Sequence, residues 1–150
     1  MEELVGQIID QVLINEDQSI LAFKTDDGRI IAYNTYGGCC SETWFADIIG
    51  LDSLLGYRPR SSDNLVNAYN KELRRIISVE ESDMTWYNVE DGRSRQQYDS
   101  PYGYKITTHM GRISIAFRNS SNGHYGGDIR LFEDDLPKKM TPIIDNDWSA

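Results

Sequence analysis

Two cysteines, two histidines and one glycine-rich polar loop carry most of the reactive side chains in this chain of 150 residues. Cys39 and Cys40 are adjacent and stand just before an expected helix start at Ser41, where a helix dipole lowers a thiol pKa. Their functional reading is a nucleophile or a metal ligand, and with His109 and His124 they complete the four ligands of a zinc site. None of the short ligand spacings typical of zinc is present, and neighbouring side chains in extended backbone point to opposite sides. The plainer account has both sulfurs packed beneath Trp44.

The second candidate is the loop Asn119-Ser-Ser-Asn-Gly-His-Tyr-Gly-Gly127. Asn119, Asn122, His124 and Tyr125 offer donors, acceptors and an aromatic face, and the glycines let backbone amides approach a ligand. The same residues also suit a turn at positive φ, in which asparagine side chains satisfy the local backbone. No P-loop, His-Glu-x-x-His, Gly-x-Ser-x-Gly or Rossmann fingerprint occurs. Arg58, Arg60, Arg74, Arg75, Arg93 and Arg95 make the middle third basic, which with its tyrosines suits an anion or nucleic acid. Glu72, Glu80, Glu81, Glu90 and Asp91 are interspersed among them and favour a mixed surface instead.

The formal net charge of −9 opposes non-specific binding to nucleic acid or anionic membrane and suits a partner with a positive surface. No apolar run reaches the ~20 residues of a membrane-spanning helix. Glu2 and Glu3 stand where a signal peptide carries basic residues, and adjacent cysteines make no disulfide framework. Both features predict a cytoplasmic protein.

The elements that must position these residues follow from hydrophobic period and turn chemistry. Leu4–Ile14, Ser19–Lys24 and Arg29–Tyr33 read as an antiparallel meander, with Asp26-Asp27-Gly28 as a hairpin turn. Ser41 reads as the N-cap of a helix that places Trp44, Phe45, Ile48 and Ile49 on one face and ends at Gly50. A second helix is expected over Asn64–Arg75, then a strand at Ile76–Val79, a weaker one at Met84–Val89 and another at Tyr102–Thr108. Ile113, Ile115 and Phe117, then Ile129 and Leu131, alternate as the two strands of a closing hairpin between Arg112 and Phe132. Beyond it, Ile143, Ile144 and Trp148 are the residues able to dock a tail.

Two stretches carry a resemblance. Gly37-Gly-Cys-Cys-Ser41 is followed by Trp44, Asp47-Ile-Ile-Gly50 and Leu54-Leu-Gly56, and Ser121-Asn-Gly-His-Tyr125 precedes the last strand. Together they resemble a family of small uncharacterised domains common in bacteriophage and prophage genomes, which pairs a Cys-Cys-Ser element with a C-terminal Ser-Asn-Gly-aromatic-Tyr element. The resemblance implies a phage context and no particular activity.

The expected fold is a single α+β domain over residues 1–132, a twisted, mainly antiparallel β-sheet with one or two helices packed on it. Residues 57–100 are expected as an insertion, and 133–150 as an acidic tail, partly docked or disordered. The expected function is that of a phage-encoded accessory protein that binds and modulates or inhibits a host protein with a basic surface, in host takeover or anti-defence, without catalysis. The expected binding residues are Cys39, Cys40, Ser41, Trp44, Asn119, Asn122, His124 and Tyr125. The alternatives are a protein that sequesters a small anionic, nucleotide-like ligand, and a thiol- or zinc-dependent enzyme. No cofactor, nucleic acid or membrane is expected.

Overall fold

The computed structural model describes residues 1–37, 42–55, 71–83, 98–121, 127–143 and 147–149. The meander expected at the start is present. Strands β1 (Ile9–Asn15), β2 (Ile20–Thr25) and β3 (Ile30–Gly37) pair antiparallel in sequence order. β4 (Glu42–Ile49) follows, then a single helical turn α1 (Leu51–Leu55). β5 (Ser78–Asp83), β6 (Tyr98–Thr108) and β7 (Gly111–Ser121) come next. β8 (Gly127–Phe132), β9 (Met140–Pro142) and β10 (Asp147–Ser149) complete the chain. Among the described residues these strands form two antiparallel five-stranded sheets, ordered β8-β3-β2-β1-β9 and β10-β4-β7-β6-β5.

One hydrophobic cluster joins the sheets. The first supplies Ile9, Val12, Leu21 and Phe23, and the second supplies Phe45, Ile48, Ile113 and Ile115. The architecture is therefore nearly all-β, which overturns the α+β expectation. The helical content among the described residues is α1 and two 3-10 turns, Glu2–Leu4 and Lys71–Arg74.

The helix expected from Ser41 to Gly50 is strand β4, and a β-bulge explains the misreading. The β4–β7 register pairs Phe45 with Phe117 and then Asp47 with Ala116, so Ala46 is the extra residue. That insertion brings Phe45 and Ile48, three positions apart, onto the same inner face. Same-face residues three apart otherwise signal a helix. β1 repeats the device: a register shift between Ile9 and Gln11 makes Asp10 the extra residue and lets Ile9 and Val12 share the core.

The closing hairpin is also corrected. β7 pairs with β4 and β6 in one sheet, whereas β8 pairs with β3 in the other. The connection after β7 therefore passes between sheets instead of folding back on its own strand. The expected strand at Met84–Val89 and the expected helix up to residue 70 lie outside the described residues. Lys71–Arg74 is a 3-10 turn.

The outer face of the first sheet is covered from within the chain. β8 and β9 are its opposite edges, about 19 Å apart at the usual strand spacing. The segment 133–139 joins them. Leu136 on this segment packs with Phe132 and Met140 against Ile20, Ala22 and Ala32. Two alanines at the sheet surface leave room for the crossing segment. This strap also explains why β2 is buried on both faces.

Arg74 ties these parts together, and only 4% of it is exposed. Its Nη2 donates to the Ile9 carbonyl and, at 2.9 Å, to the Asp10 carboxylate, while Nε reaches the Leu54 carbonyl at 3.4 Å. The guanidinium thus serves the bulge of β1 and the end of α1 at once. Replacing it by methionine keeps the stem but strands buried acceptors, and is expected to cost about 3 kcal/mol in urea denaturation. A paired glycine test probes the turn before α1. Gly50 and Gly28 have φ of +86° and +87°. A Cβ at Gly50 would lie 2.4 Å from the Arg112 carbonyl oxygen, whereas nothing lies within 4 Å at Gly28. Gly28→Ala is expected to cost only the left-handed backbone penalty of about 1 kcal/mol, and Gly50→Ala clearly more in the same assay.

Candidate functional site

The sequence segments that hold most of the singled-out residues connect β3 to β4 and β7 to β8. Cys39, Cys40, Ser41, Asn122, His124 and Tyr125 lie outside the described residues, but their flanks are placed. Gly37 pairs with Gly127 across β3–β8, and Glu42 pairs with Ser120 across β4–β7. The described residues flanking 38–41 and 122–126 thus pair with one another at the ends of β3–β8 and β4–β7. The backbone of Asn119 sits opposite Thr43 and Ser100 in the second sheet. Trp44 is 1% exposed, on the β4 face opposite Phe45, and shares that face with the buried Asp47. His109 is exposed in the turn between β6 and β7, at the far end of β7 from Glu42. A zinc site using both histidines and both cysteines would have to span that strand, about 30 Å at the usual rise. Among the described residues no three carboxylate, imidazole or thiol groups converge to hold a metal ion.

The described cleft lies at the other end of β3, about 20 Å from Gly37 by strand rise. It opens where β3 begins and β8 ends, beside the first 3-10 turn, and has a volume of ≈ 670 Å³. Its floor is apolar, built from Ile30 and Ile31 of β3, Leu131 and Phe132 of β8, and Leu136 of the strap. Ile30, on the Ala32 face of the sheet, is 44% exposed, and Leu131, on the Tyr33 face, is 41% exposed. The rim is acidic, with Glu3 on one wall and Glu133, Asp134 and Asp135 on the other.

Arg29 is the cation among the described residues lining the cleft, and it is engaged. Its Nε donates to Asp27 at 2.9 Å and its Nη2 to Gln7 at 2.8 Å. Among the described residues no ion pair engages Glu133, Asp134 or Asp135. The strap side of the cleft therefore presents negative charge that no described cation compensates, while Glu3 on the other wall pairs with the Met1 ammonium at 3.9 Å. Its described lining offers no hydroxyl, thiol or amine nucleophile.

Residues 2–131 match the model of a family described as a domain of unknown function (DUF7448). The chain belongs to this family. No curated protein and no solved structure matches it. The matched span of the DUF7448 domain runs from the first 3-10 turn almost to the end of β8. Glu3, Ile30 and Leu131 fall inside it, and the rim carboxylates at 133–135 fall just beyond. No helix among the described residues is long and apolar enough to cross a membrane.

Sequence reasoning missed this cleft because its walls come from three distant segments. The traces it left are Glu133-Asp-Asp135 directly after an apolar strand and Ile30-Ile31 directly after an Asp-Gly turn. Neither becomes a site until β3 and β8 are known to pair.

Glu3 is held in place by Tyr33, whose hydroxyl donates to Glu3 Oε1 at 2.9 Å. A hydrogen bond from its own backbone, then this one, holds the Glu3 carboxyl below its usual range. Burial first, and then the Glu3 carboxylate, push the Tyr33 phenol up, so it stays a proton donor at working pH. A carboxylate with a lowered folded-state pKa adds stability above its unfolded value and loses it as pH falls through the folded one. Tyr33→Phe is therefore expected to cost about 1 kcal/mol at neutral pH. The difference from the wild-type chain should narrow below about pH 4.5 in denaturation curves taken across the acid range.

Proposed function

We propose that this chain is a phage-encoded accessory protein that binds and modulates a host protein in the host cytoplasm, with the acid-rimmed cleft as its contact surface. The observation that carries the reading is the half-exposed Leu131 beside Glu133, Asp134 and Asp135, three carboxylates that no described cation neutralises. Exposed apolar side chains ringed by polar groups are the usual anatomy of a binding patch. The net charge of −9 adds long-range attraction to a basic partner and speeds encounter more than it tightens the complex. The phage setting rests on the paired Cys-Cys-Ser and Ser-Asn-Gly elements, and the cytoplasmic one on the absence of a disulfide framework.

A small anionic ligand is the second reading, and the cleft does not serve it, because four carboxylates would repel a phosphate. Such a ligand belongs at the opposite end of β3, where the pairing of Gly37 with Gly127 brings the flanks of the two bends together.

The test compares the wild-type chain with a variant carrying Glu133→Lys, Asp134→Lys and Asp135→Lys, both immobilised and exposed to lysate of the host bacterium. The expected result is one protein, identified by mass spectrometry, retained by the wild type and absent from the reversed variant. Equal recovery on both supports would remove the cleft from the reading, and a nucleotide retained by both would favour the second one.

A further inference from the structure

We infer that the occupant of the cleft is a short linear segment of a partner in which Lys or Arg residues flank one bulky apolar side chain. This rests on the reading of the cleft as a contact surface and adds the chemistry of what fills it. A volume of ≈ 670 Å³ lies within the range of pockets that enclose a compact ligand. A folded protein face instead spreads about 800 Å² over a broad, nearly flat area on each partner. The apolar lining at Ile31 and Leu131, which share the Tyr33 face of the sheet, has room for an anchor residue. Burying such an anchor against the half-exposed Leu131 removes apolar surface from water on both partners.

The rim selects what stands beside the anchor. Glu133, Asp134 and Asp135 follow one another on the strap and favour cations beside the anchor, whereas Glu3 on the 3-10 turn already has the Met1 ammonium at 3.9 Å and the Tyr33 hydroxyl. Arg29 does not oppose them, because Asp27 and Gln7 already hold its guanidinium. A metal ion alone does not fit, since no three ligands converge among the described residues. Nucleic acid does not fit, since the charge has the wrong sign. The strap is fixed before anything binds. Leu136 lines the cleft and also packs against Ile20, Ala22 and Ala32 on the outer face of the sheet. The acidic rim therefore needs little ordering on binding, which favours a flexible occupant that must itself be ordered.

The test titrates the intact chain into three fluorescein-labelled peptides and reads polarisation: Lys-Lys-Phe-Lys-Lys, the same peptide with serine for phenylalanine, and Glu-Glu-Phe-Glu-Glu. The basic peptide with the anchor is expected to bind and to weaken with added salt. Loss of the anchor is expected to weaken it about tenfold, and the acidic peptide is expected not to bind. The double variant Asp134→Asn, Asp135→Asn and the single variant Leu131→Ser should each weaken the basic peptide. Both variants alter exposed side chains, so their thermal unfolding should stay close to that of the wild type. Basic peptide binding that ignores both variants, or that ignores the phenylalanine, overturns the inference. If no peptide binds while the reversed variant still loses its lysate partner, the linear segment is refuted and the contact surface remains.

Discussion

A buried guanidinium at a β-bulge is the constraint on which this fold turns. The bulge in β1 leaves a carbonyl outside the ladder, and Arg74 arrives from a turn more than sixty positions away to satisfy it. In the same stroke it takes the carbonyl at the end of α1. Without the bulge, Ile9 and Val12 would face opposite sides of the sheet, and one of them would leave the core. The polar cost of irregular backbone is thus met by one charged side chain, itself paired with Asp10. The bulge in β4 plays the corresponding part in the second sheet, setting Phe45 and Ile48 against Phe117 and Ile115.

These irregularities also decide how much of the fold can be read from sequence. The opening meander is legible because Asp27-Gly28 marks a turn and the strands on either side alternate cleanly. β6 is legible for the same reason through Tyr104, Ile106 and Thr108. β4 is not, because its bulge gives Trp44, Phe45, Ile48 and Ile49 the spacing of a helical face. The stretch from Ile113 to Leu131 looks like a hairpin because local period says nothing about which sheet a strand joins. The cleft is less legible still. Ile31 and Leu131 come to one face only because β3 and β8 pair across nearly a hundred residues. The residues around Cys39 and His124 lie outside the described ones, and only the pairing of their flanks, Gly37 with Gly127 and Glu42 with Ser120, is placed.

The cleft draws on residues inside and outside the matched family span. Floor residues Ile30 and Leu131 lie within the DUF7448 match, while the three carboxylates at 133–135 sit on the strap that follows it. Neighbouring like charges with no described counter-ion do not help the folded state.

The passage of the chain between the sheets after β3, β7 and β9 has a further consequence during synthesis on the ribosome. When β3 has emerged, the edge it will share with β8 stays open until some ninety more residues have been translated. β1 waits longer still for β9, and β4 for β10. Neither sheet can complete itself from an N-terminal portion, so nascent chains carry unpaired strand edges for most of their elongation. Such edges invite pairing between neighbouring polysomal chains. A protein wired this way depends on fast completion and release, and its yield in a cell should respond to translation speed and to the supply of trigger-type chaperones.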